Sequence, residues 1–287
     1  MILASSRPRK GQAMAFKDIL VHVDNSEQAS VRLRLAAGLA RMGDGHLVAL
    51  NVRTRPSLPP FIAAQFGPEI EAVRRRFNDE AAREARAIFD AEAPCQGITT
   101  EWRDVGGGLA DTVTLHARYA DVTVIGQDTA ADDERPLADA LVLEVGRPVL
   151  VVPSAGTFEA PPQRVVVAWN ASREATRAVH DALPLLQAAK RVQVIAINPD
   201  HGMAGHGDIP GADICLHLSR HGVNAVCEHI RSDDLKVGEM LLSRVADEDA
   251  GLLVMGAYGR SRLRTLVLGG ATRHILRHMT VPVLLSH

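Results

Sequence analysis

The chain repeats itself once, and this repeat constrains its fold more than any other feature of the sequence. The apolar run at 19–23 is followed by D-N-S-E-Q-A, and the apolar run at 165–169 is followed by N-A-S-R-E-A. Two further pairs of apolar runs recur in the same order, at 120–126 with 250–256 and at 148–152 with 282–286. Two copies of one ordered pattern indicate duplication of a single domain rather than fusion of two unrelated ones.

Each copy alternates short apolar runs with stretches of helical periodicity. Near-continuous apolar runs are typical of parallel strands covered on both faces, and the alternation indicates right-handed crossovers between them. The sequence therefore predicts an α/β fold of two tandem doubly wound domains, each a five-stranded parallel sheet flanked by helices. We expect a tail at 1–14, an N-terminal domain at 15–155, a Pro/Gly linker at 156–162 and a C-terminal domain at 163–287.

Local patterns place the elements of the first copy. The predicted strands are 19–23, 46–52, 98–105, 122–126 and 148–152, and the predicted helices include 69–92, 109–119 and 137–145. Ser26 is the expected N-cap of the first helix. The offset between the copies falls from 146 residues at the first strand to 130 at the fourth, so the second copy lacks most of the long charged helix.

The composition excludes several functional classes. Of the 287 residues, 46% are hydrophobic and 23% charged, as is usual for a globular protein, and no apolar run approaches the roughly 20 residues that span a bilayer. A net charge of −2 and an aromatic content of 3% offer neither a basic surface nor many stacking platforms for nucleic acid. We therefore expect neither nucleic acid nor a membrane as a partner. Three cysteines form no disulfide framework, which favours a cytoplasmic location. Residues 1–13 are too poor in apolar residues for a signal peptide, so Met14 is the expected natural start.

A glycine-rich segment follows the apolar run at 251–255 and precedes the last helical pattern. It contains Gly256, Gly259, Gly269 and Gly270, with three arginines interleaved at 260, 262 and 264. Glycines let a ligand approach the main chain, and backbone N–H groups beside a helix N-terminus suit a phosphate. The spacing is not that of a Walker A loop. The alternative is a strand-to-helix turn whose glycines only permit close packing.

The spacing Gly256-x2-Gly259-x9-Gly269 resembles the universal stress protein family, whose nucleotide-binding members carry G-x2-G-x9-G-[ST] after the fourth strand. Gly270 stands where the family has Ser or Thr, so a hydroxyl group is missing. The resemblance covers almost the whole chain as a tandem pair and implies the universal stress protein, or adenine nucleotide alpha hydrolase-like, fold. It also includes D-x-S-x-x-A, which begins at Asp24 in the first copy.

The resemblance implies an adenine nucleotide (ATP, ADP or AMP), with Mg²⁺ as an accompanying ion, bound in the second copy. Backbone N–H groups of the glycines would hold the phosphates, Asn170 would meet the base or ribose, and Ile197 would line the adenine slot. The full set of candidate binding residues is Asn170, Ile197, Gly256, Gly259, Arg260, Ser261, Gly269, Gly270, Ala271 and Thr272. Relatives that bind nucleotide have Asp at the position of Asn170, and Asn keeps a donor and an acceptor there.

The first copy departs from the motif. After Gly126 it reads Q-D-T-A-A-D-D-E, so the later glycines are absent and four acidic residues stand where a phosphate would lie. Because like charges repel, we expect the first copy to bind no nucleotide.

Two further segments allow more than one interpretation. A histidine-rich stretch at 201–229 suggests a metal site with the candidate ligands His206, His217 and His221, near Cys215, Cys227 and His229. Alternatively, His217 and His221 occupy an ordinary helix face, and the segment around His206 closes over the nucleotide. Asp233 and Asp234 either hold Mg²⁺ through waters or cap a helix at 237–245.

These patterns leave three hypotheses for function. The first is a cytosolic, ligand-sensing universal stress protein whose domains pair through their fifth strands, 149–152 and 283–285, as the resemblance implies. The second is an interaction module of the same fold without nucleotide, which Gly270 and Asn170 favour. The third is a nucleotide hydrolase, for which the sequence provides no nucleophile elbow and identifies no base. The protein partner and the formation of a homodimer are left open.

Overall fold

The computed structural model describes residues 15–54, 60–93, 97–128, 136–198, 211–231, 236–259 and 270–287. The described strands are β1 (Asp18–His22), β2 (His46–Thr54), β3 (Thr99–Gly107), β4 (Val122–Gly126), β5 (Val149–Val152), β6 (Arg164–Ala168), β7 (Arg191–Ile197), β8 (Ala225–Ile230), β9 (Leu252–Gly256) and β10 (Val283–Ser286). The described helices are α1 (Ala29–Arg41), α2 (Pro60–Glu92), α3 (Leu109–Ala117), α4 (Leu137–Glu144), α5 (Arg173–Asp181), α6 (Leu183–Ala188), α7 (Ala212–Arg220), α8 (Val237–Asp247) and α9 (Gly270–His278).

The strands form one sheet in the order β3-β2-β1-β4-β5-β10-β9-β6-β7-β8. Every pairing within each half is parallel, and the order within each half is that of a doubly wound domain. The fifth strands of the halves pair antiparallel, with Leu150 opposite Leu284. This register relates the halves by a local twofold axis. The predicted fold class is confirmed, and the halves join through the strands that the resemblance implies.

The hydrophobic core continues across the join. Leu150 and Leu284 are 1% and 0% exposed and belong to one buried cluster that includes side chains of both halves. A second cluster on the other face of the sheet also spans both halves. Since burial of a leucine side chain contributes about 2 kcal/mol, the antiparallel pair stabilises the two halves as one folded unit.

The long helix begins earlier than its sequence pattern indicates. It starts at Pro60 rather than at residue 69, and it continues through Pro68. A proline removes one hydrogen bond from a helix interior. Helix α2 has 33 residues, and the hydrogen bonds of its other turns stabilise it despite this loss. The segments between the second and third strands of each half, 55–98 and 198–224, account for the length difference between the copies.

Two of the expected helix caps are wrong. Helix α1 begins at Ala29 with Gln28 at the N-cap and no side-chain cap, because the hydroxyl group of Ser26 donates to Asp24 instead. In the second half, Ser172 does cap α5, accepting a 3.1 Å hydrogen bond from the Ala175 N–H. Lys236, not Asp233 or Asp234, is the N-cap of α8.

Candidate functional site

A pocket of about 280 Å³ lies at the carboxyl ends of β6, β7 and β9 in the second half. In the sheet, β6 lies between β7 and β9. The chain continues from β6 to β7 on one side and later adds β9 on the other side, so the strand order reverses at β6. Doubly wound sheets bind ligands at such a switch point. The lining residues are Ala168, Trp169, Asn170, Ile195, Ile197, Val237, Leu241, Met255, Gly256, Tyr258, Gly259, Gly270, Ala271 and Thr272.

Most of the predicted binding residues meet in this pocket. Seven of them line it: Asn170, Ile197, Gly256, Gly259, Gly270, Ala271 and Thr272. Arg260, Ser261 and Gly269 lie outside the described residues. Residues as far apart in sequence as Asn170 and Thr272 converge because β6 and β9 are neighbouring parallel strands. Their role in binding stays a prediction.

The sequence did not reveal the apolar wall of the pocket. The wall contains Ile195, Leu241 and Met255, and half-buried Trp169 stands at its edge. Only Trp169 carried a local signal, because it directly precedes Asn170 at the strand end. Apolar strand and helix residues look alike in sequence whether they face a core or a cavity.

The glycines of the motif have different structural roles. A Cβ atom on Gly256 would lie 2.4 Å from the backbone nitrogen of Ala175, so Gly256 is needed for close packing of β9 against α5. A Cβ atom on Gly270 would meet no atom of the described residues within 4 Å. On Gly259, the nearest atom in the described part of the chain would be a carboxylate oxygen of Glu174, at 3.4 Å. The packing interpretation therefore applies to Gly256, whereas the described residues leave more room at Gly259 and Gly270.

Two helices begin at the pocket. Helix α9 begins at Gly270, and α5 begins beside Asn170, whose Oδ1 atom accepts a 3.2 Å hydrogen bond from the Ser172 N–H. Helix N-termini attract anions. The carboxylate of Glu174, which is only 12% exposed, opposes this attraction by its negative charge, and Arg173, an ion-pair partner at 3.4 Å, offsets part of that charge.

Tyr258 connects the pocket to the other half of the protein. Its backbone has a φ of 57°, which is uncommon for a residue with a side chain. Its hydroxyl group donates a hydrogen bond to Asp139 on α4, and the two residues are 4% and 3% exposed. The segment between Gly256 and Gly259 is therefore anchored in the first half.

Arg32 occupies the equivalent strand ends of the first half. Its guanidinium group is buried, contacts Asp24 at 2.5 Å and donates to the backbone oxygen of His22 at 3.3 Å. A Cβ atom on Gly126 would lie 2.6 Å from this group. The repeat places the small, buried Ala178 at the corresponding position of the second half. A cavity of about 460 Å³ is present beside Arg32.

Burial shifts the pKa values of two titratable groups around the cavity beside Arg32. Burial lowers the pKa of His22 to about 4. The charge of Asp24 opposes this shift, and the charge of Arg32 reinforces it. Burial raises the pKa of Asp128, although N–H groups at the start of α4 donate to its carboxylate. The other acidic residues of this loop, 132–134, lie outside the described residues. The absence of nucleotide binding here stays a prediction, and Arg32 gives it a structural basis beyond the acidic loop.

The histidine candidates lie on a helix surface. The ring of His217 on α7 is 4.6 Å from that of His221, the residue directly after α7, and 5.1 Å from that of His180 on α5. His206, Asp233 and Asp234 lie outside the described residues. Within the described ranges, no three His, Cys, Asp or Glu side chains converge as ligands of a metal ion. None of the helices described by the structure combines the length and apolar character needed to cross a bilayer.

Comparison with known proteins identifies the family. The family model described as Universal stress protein family matches residues 15–153 and again 162–287. The chain belongs to the universal stress protein family. Both halves of the sheet therefore correspond to tandem domains of this family.

Solved structures with a similar fold include universal stress proteins. The chain is similar in fold to a universal stress protein from Archaeoglobus fulgidus DSM 4304, with 18% identity, a TM-score of 0.65, and coverage of 93% of this chain and 97% of that one. A putative universal stress protein from Pseudomonas aeruginosa UCBPP-PA14 has 14% identity, a TM-score of 0.56, and coverage of 95% and 93%. A shorter universal stress protein from Archaeoglobus fulgidus, in complex with dAMP, has 19% identity, a TM-score of 0.35, and coverage of 48% and 98%. Curated proteins give no match.

Proposed function

We propose that this universal stress protein binds one adenine nucleotide in the pocket of its second half and acts in the cytoplasm as a ligand-sensing regulatory module in the stress response. The observation that carries the proposal is the convergence of the seven motif-derived residues on one pocket. Family membership supports the choice of an adenine nucleotide, since the glycine spacing matches the family's nucleotide motif at Gly256, Gly259 and Gly269.

The shape and chemistry of the pocket suit a nucleoside. Its volume of about 280 Å³ lies near the lower end for small-molecule sites. The apolar wall of Ile195, Leu241 and Met255 suits a flat base. The Oδ1 atom of Asn170 is already bonded to Ser172, so its amide group donates to acceptors on the base or ribose.

The phosphate groups of the nucleotide would face Gly259 and Gly270. Backbone N–H groups at Gly259 and at the start of α9 would hold an anion, and no side chain on Gly270 excludes it. The carboxylate of Glu174 repels each added phosphate, which favours a monophosphate over a triphosphate. A Mg²⁺ ion that accompanies ATP would neutralise part of this repulsion.

Contacts between the two halves connect the ligand pocket to the surface of the protein. Tyr258 joins the pocket wall to Asp139, and α9, which begins in the wall, ends near Gln127 of the first half. The Gln127 side chain donates to the backbone oxygen of Leu276 at 2.8 Å. Ligand binding that shifts the Tyr258 loop or α9 would therefore alter the surface that both halves present to a protein partner.

A calorimetric titration with AMP and with MgATP tests the proposal. We expect one site per chain in the wild type, loss of heat in Gly259→Val, and several-fold tighter binding in Gly270→Ser, because serine restores the family's hydroxyl group at a position where no described residue lies within 4 Å of a Cβ atom. Absence of heat at millimolar nucleotide in both the wild type and Gly270→Ser would refute it.

One observation favours an alternative. The carboxylate of Glu174 lies beside Gly259, and position 270 lacks the family's hydroxyl group. Both features fit an interaction module of the same fold that binds no nucleotide. In that case the purified protein carries no ultraviolet-absorbing ligand, and Glu174→Gln does not restore binding. The described lining contains no carboxylate, imidazole or lysine, and the neighbouring carboxylate of Glu174 is paired with Arg173, so the site supports ligand binding more than hydrolysis.

A further inference from the structure

Two cysteines face each other at the edge of the sheet, away from the pocket. Cys215 lies in α7, where its N–H donates to the backbone oxygen of Gly211 at 3.0 Å. Cys227 lies in β8, opposite Val194 of β7. A Cβ atom on Gly211 would be 3.2 Å from the Cβ atom of Cys227, so the start of α7 rests directly on this strand. Cys215 follows Gly211 by four residues and therefore lies on the same face of α7, where Cys227 neighbours it and raises its pKa.

Both thiols are free and partly accessible. They are half-buried against the core and form no disulfide bond. Strand β8 ends the sheet order and pairs with β7, so its outer edge carries no further strand of the described chain. A small oxidant therefore reaches the pair from solvent, while the packing of α7 on β8 holds the two sulfur atoms together.

We propose that Cys215 and Cys227 form a redox modification site that closes to a disulfide bond when the protein meets hydrogen peroxide. The thiol of Cys227 attacks one peroxide oxygen, which gives a sulfenic acid and one water molecule. The sulfur of Cys215 then attacks the Cys227 sulfur, the S–O bond breaks, and a second water molecule leaves with the Cys215 proton. The two thiols lose two electrons and two protons in total, and peroxide is reduced to two molecules of water.

The order of attack follows from the surroundings of the thiols. Burial and the neighbouring Cys227 raise the pKa of Cys215 to about 12, so Cys215 remains a thiol. The thiolate is the reactive form of cysteine, which makes Cys215 the resolving partner. Closure would fix α7 to β8. This site requires no nucleotide and is independent of the proposed function.

Peptide mapping of the full-length Cys95→Ser protein tests the proposal, because this variant keeps only the facing pair. The reduced protein is exposed to hydrogen peroxide, alkylated and digested. We expect both thiols to disappear together, a single intramolecular 215–227 bridge that dithiothreitol reverses, and a Tm higher by about 5 °C from closure of a short loop.

A matched variant separates closure from simple oxidation. In Cys95→Ser/Cys215→Ser, the bridge and the rise in Tm should both be absent, and Cys227 should accumulate as sulfenic or sulfinic acid. The proposal is wrong if Cys227 of the Cys95→Ser protein reaches sulfinic acid while Cys215 stays alkylatable. It is also wrong if both thiols survive peroxide that fully oxidises glutathione.

Discussion

The hydroxyl group of Tyr258 joins the candidate pocket to the first half, and its removal has a calculable cost. Tyr258→Phe leaves the ring and the backbone unchanged but removes the donor to Asp139. Both residues are at least 95% buried, so water does not replace the lost bond. Hydrogen bonds to charged groups contribute about 1.5–3 kcal/mol, and we expect the variant to be about 2 kcal/mol less stable.

Urea unfolding followed by circular dichroism measures this cost. The matched control is Tyr119→Phe, because these are the chain's two tyrosines and Tyr119 is 80% exposed. We expect the control to change stability by less than about 0.5 kcal/mol. A Tyr258→Phe protein that unfolds at the same urea concentration as Tyr119→Phe would refute the role assigned to this hydrogen bond. If the bond also positions the loop, nucleotide affinity should fall in Tyr258→Phe only.

Three further predictions concern His22, Gly256 and Glu174. The folded pKa of His22 is about 4 and the unfolded value about 6.5, so the unfolded chain binds more protons between these values, and the unfolding free energy should fall by about 3 kcal/mol as the pH drops through this window. His22→Gln should flatten that part of a urea-measured pH profile, and an unchanged slope would contradict the assignment. Gly256→Ala should cost about 2–3 kcal/mol in thermal unfolding, because its Cβ atom would meet backbone atoms of α5 at 2.4 Å. Gly251→Ala, whose Cβ atom would have no neighbour closer than 3.5 Å, is the control, and equal losses in both would refute the packing role. Glu174→Gln should strengthen ATP binding more than AMP binding in calorimetric titrations, since it removes a charge beside Gly259; an equal gain for both nucleotides would argue against phosphate at that position.

The sequence was sufficient to predict the fold class, the strands of the first half and seven of the residues that line the pocket. Repeated apolar runs identify parallel strands, and parallel strands bring their carboxyl ends together. Asn170 and Gly256 were therefore predictable neighbours although 86 residues separate them. The pairing of the fifth strands followed from the family resemblance rather than from any local pattern, whereas the antiparallel direction and the register of Leu150 with Leu284 are findings of the structure.

Other features depend on tertiary contacts that no local pattern encodes. Tyr258 and Asp139 are 119 residues apart, and although Tyr258 lies within the glycine motif, nothing in the motif indicates Asp139 as its partner. Ser26 and Ser172 occupy equivalent places in the repeat, yet only Ser172 caps its helix. In the first half, the carboxylate of Asp24 accepts a hydrogen bond from the Ser26 hydroxyl group and also forms an ion pair with buried Arg32. These contacts keep the Ser26 hydroxyl group away from the N-terminus of α1.

Trp169 provides the most direct test of nucleotide binding in the second half. It lines the pocket, whereas Trp102, the chain's other tryptophan, contacts Phe89 at 5.2 Å between ring centroids. In Trp102→Phe, fluorescence therefore reports on the pocket alone. Titration with AMP should give a saturable change in emission that Gly259→Val abolishes. Unchanged emission from Trp169 at millimolar AMP, in a folded Trp102→Phe protein, would contradict the proposed site.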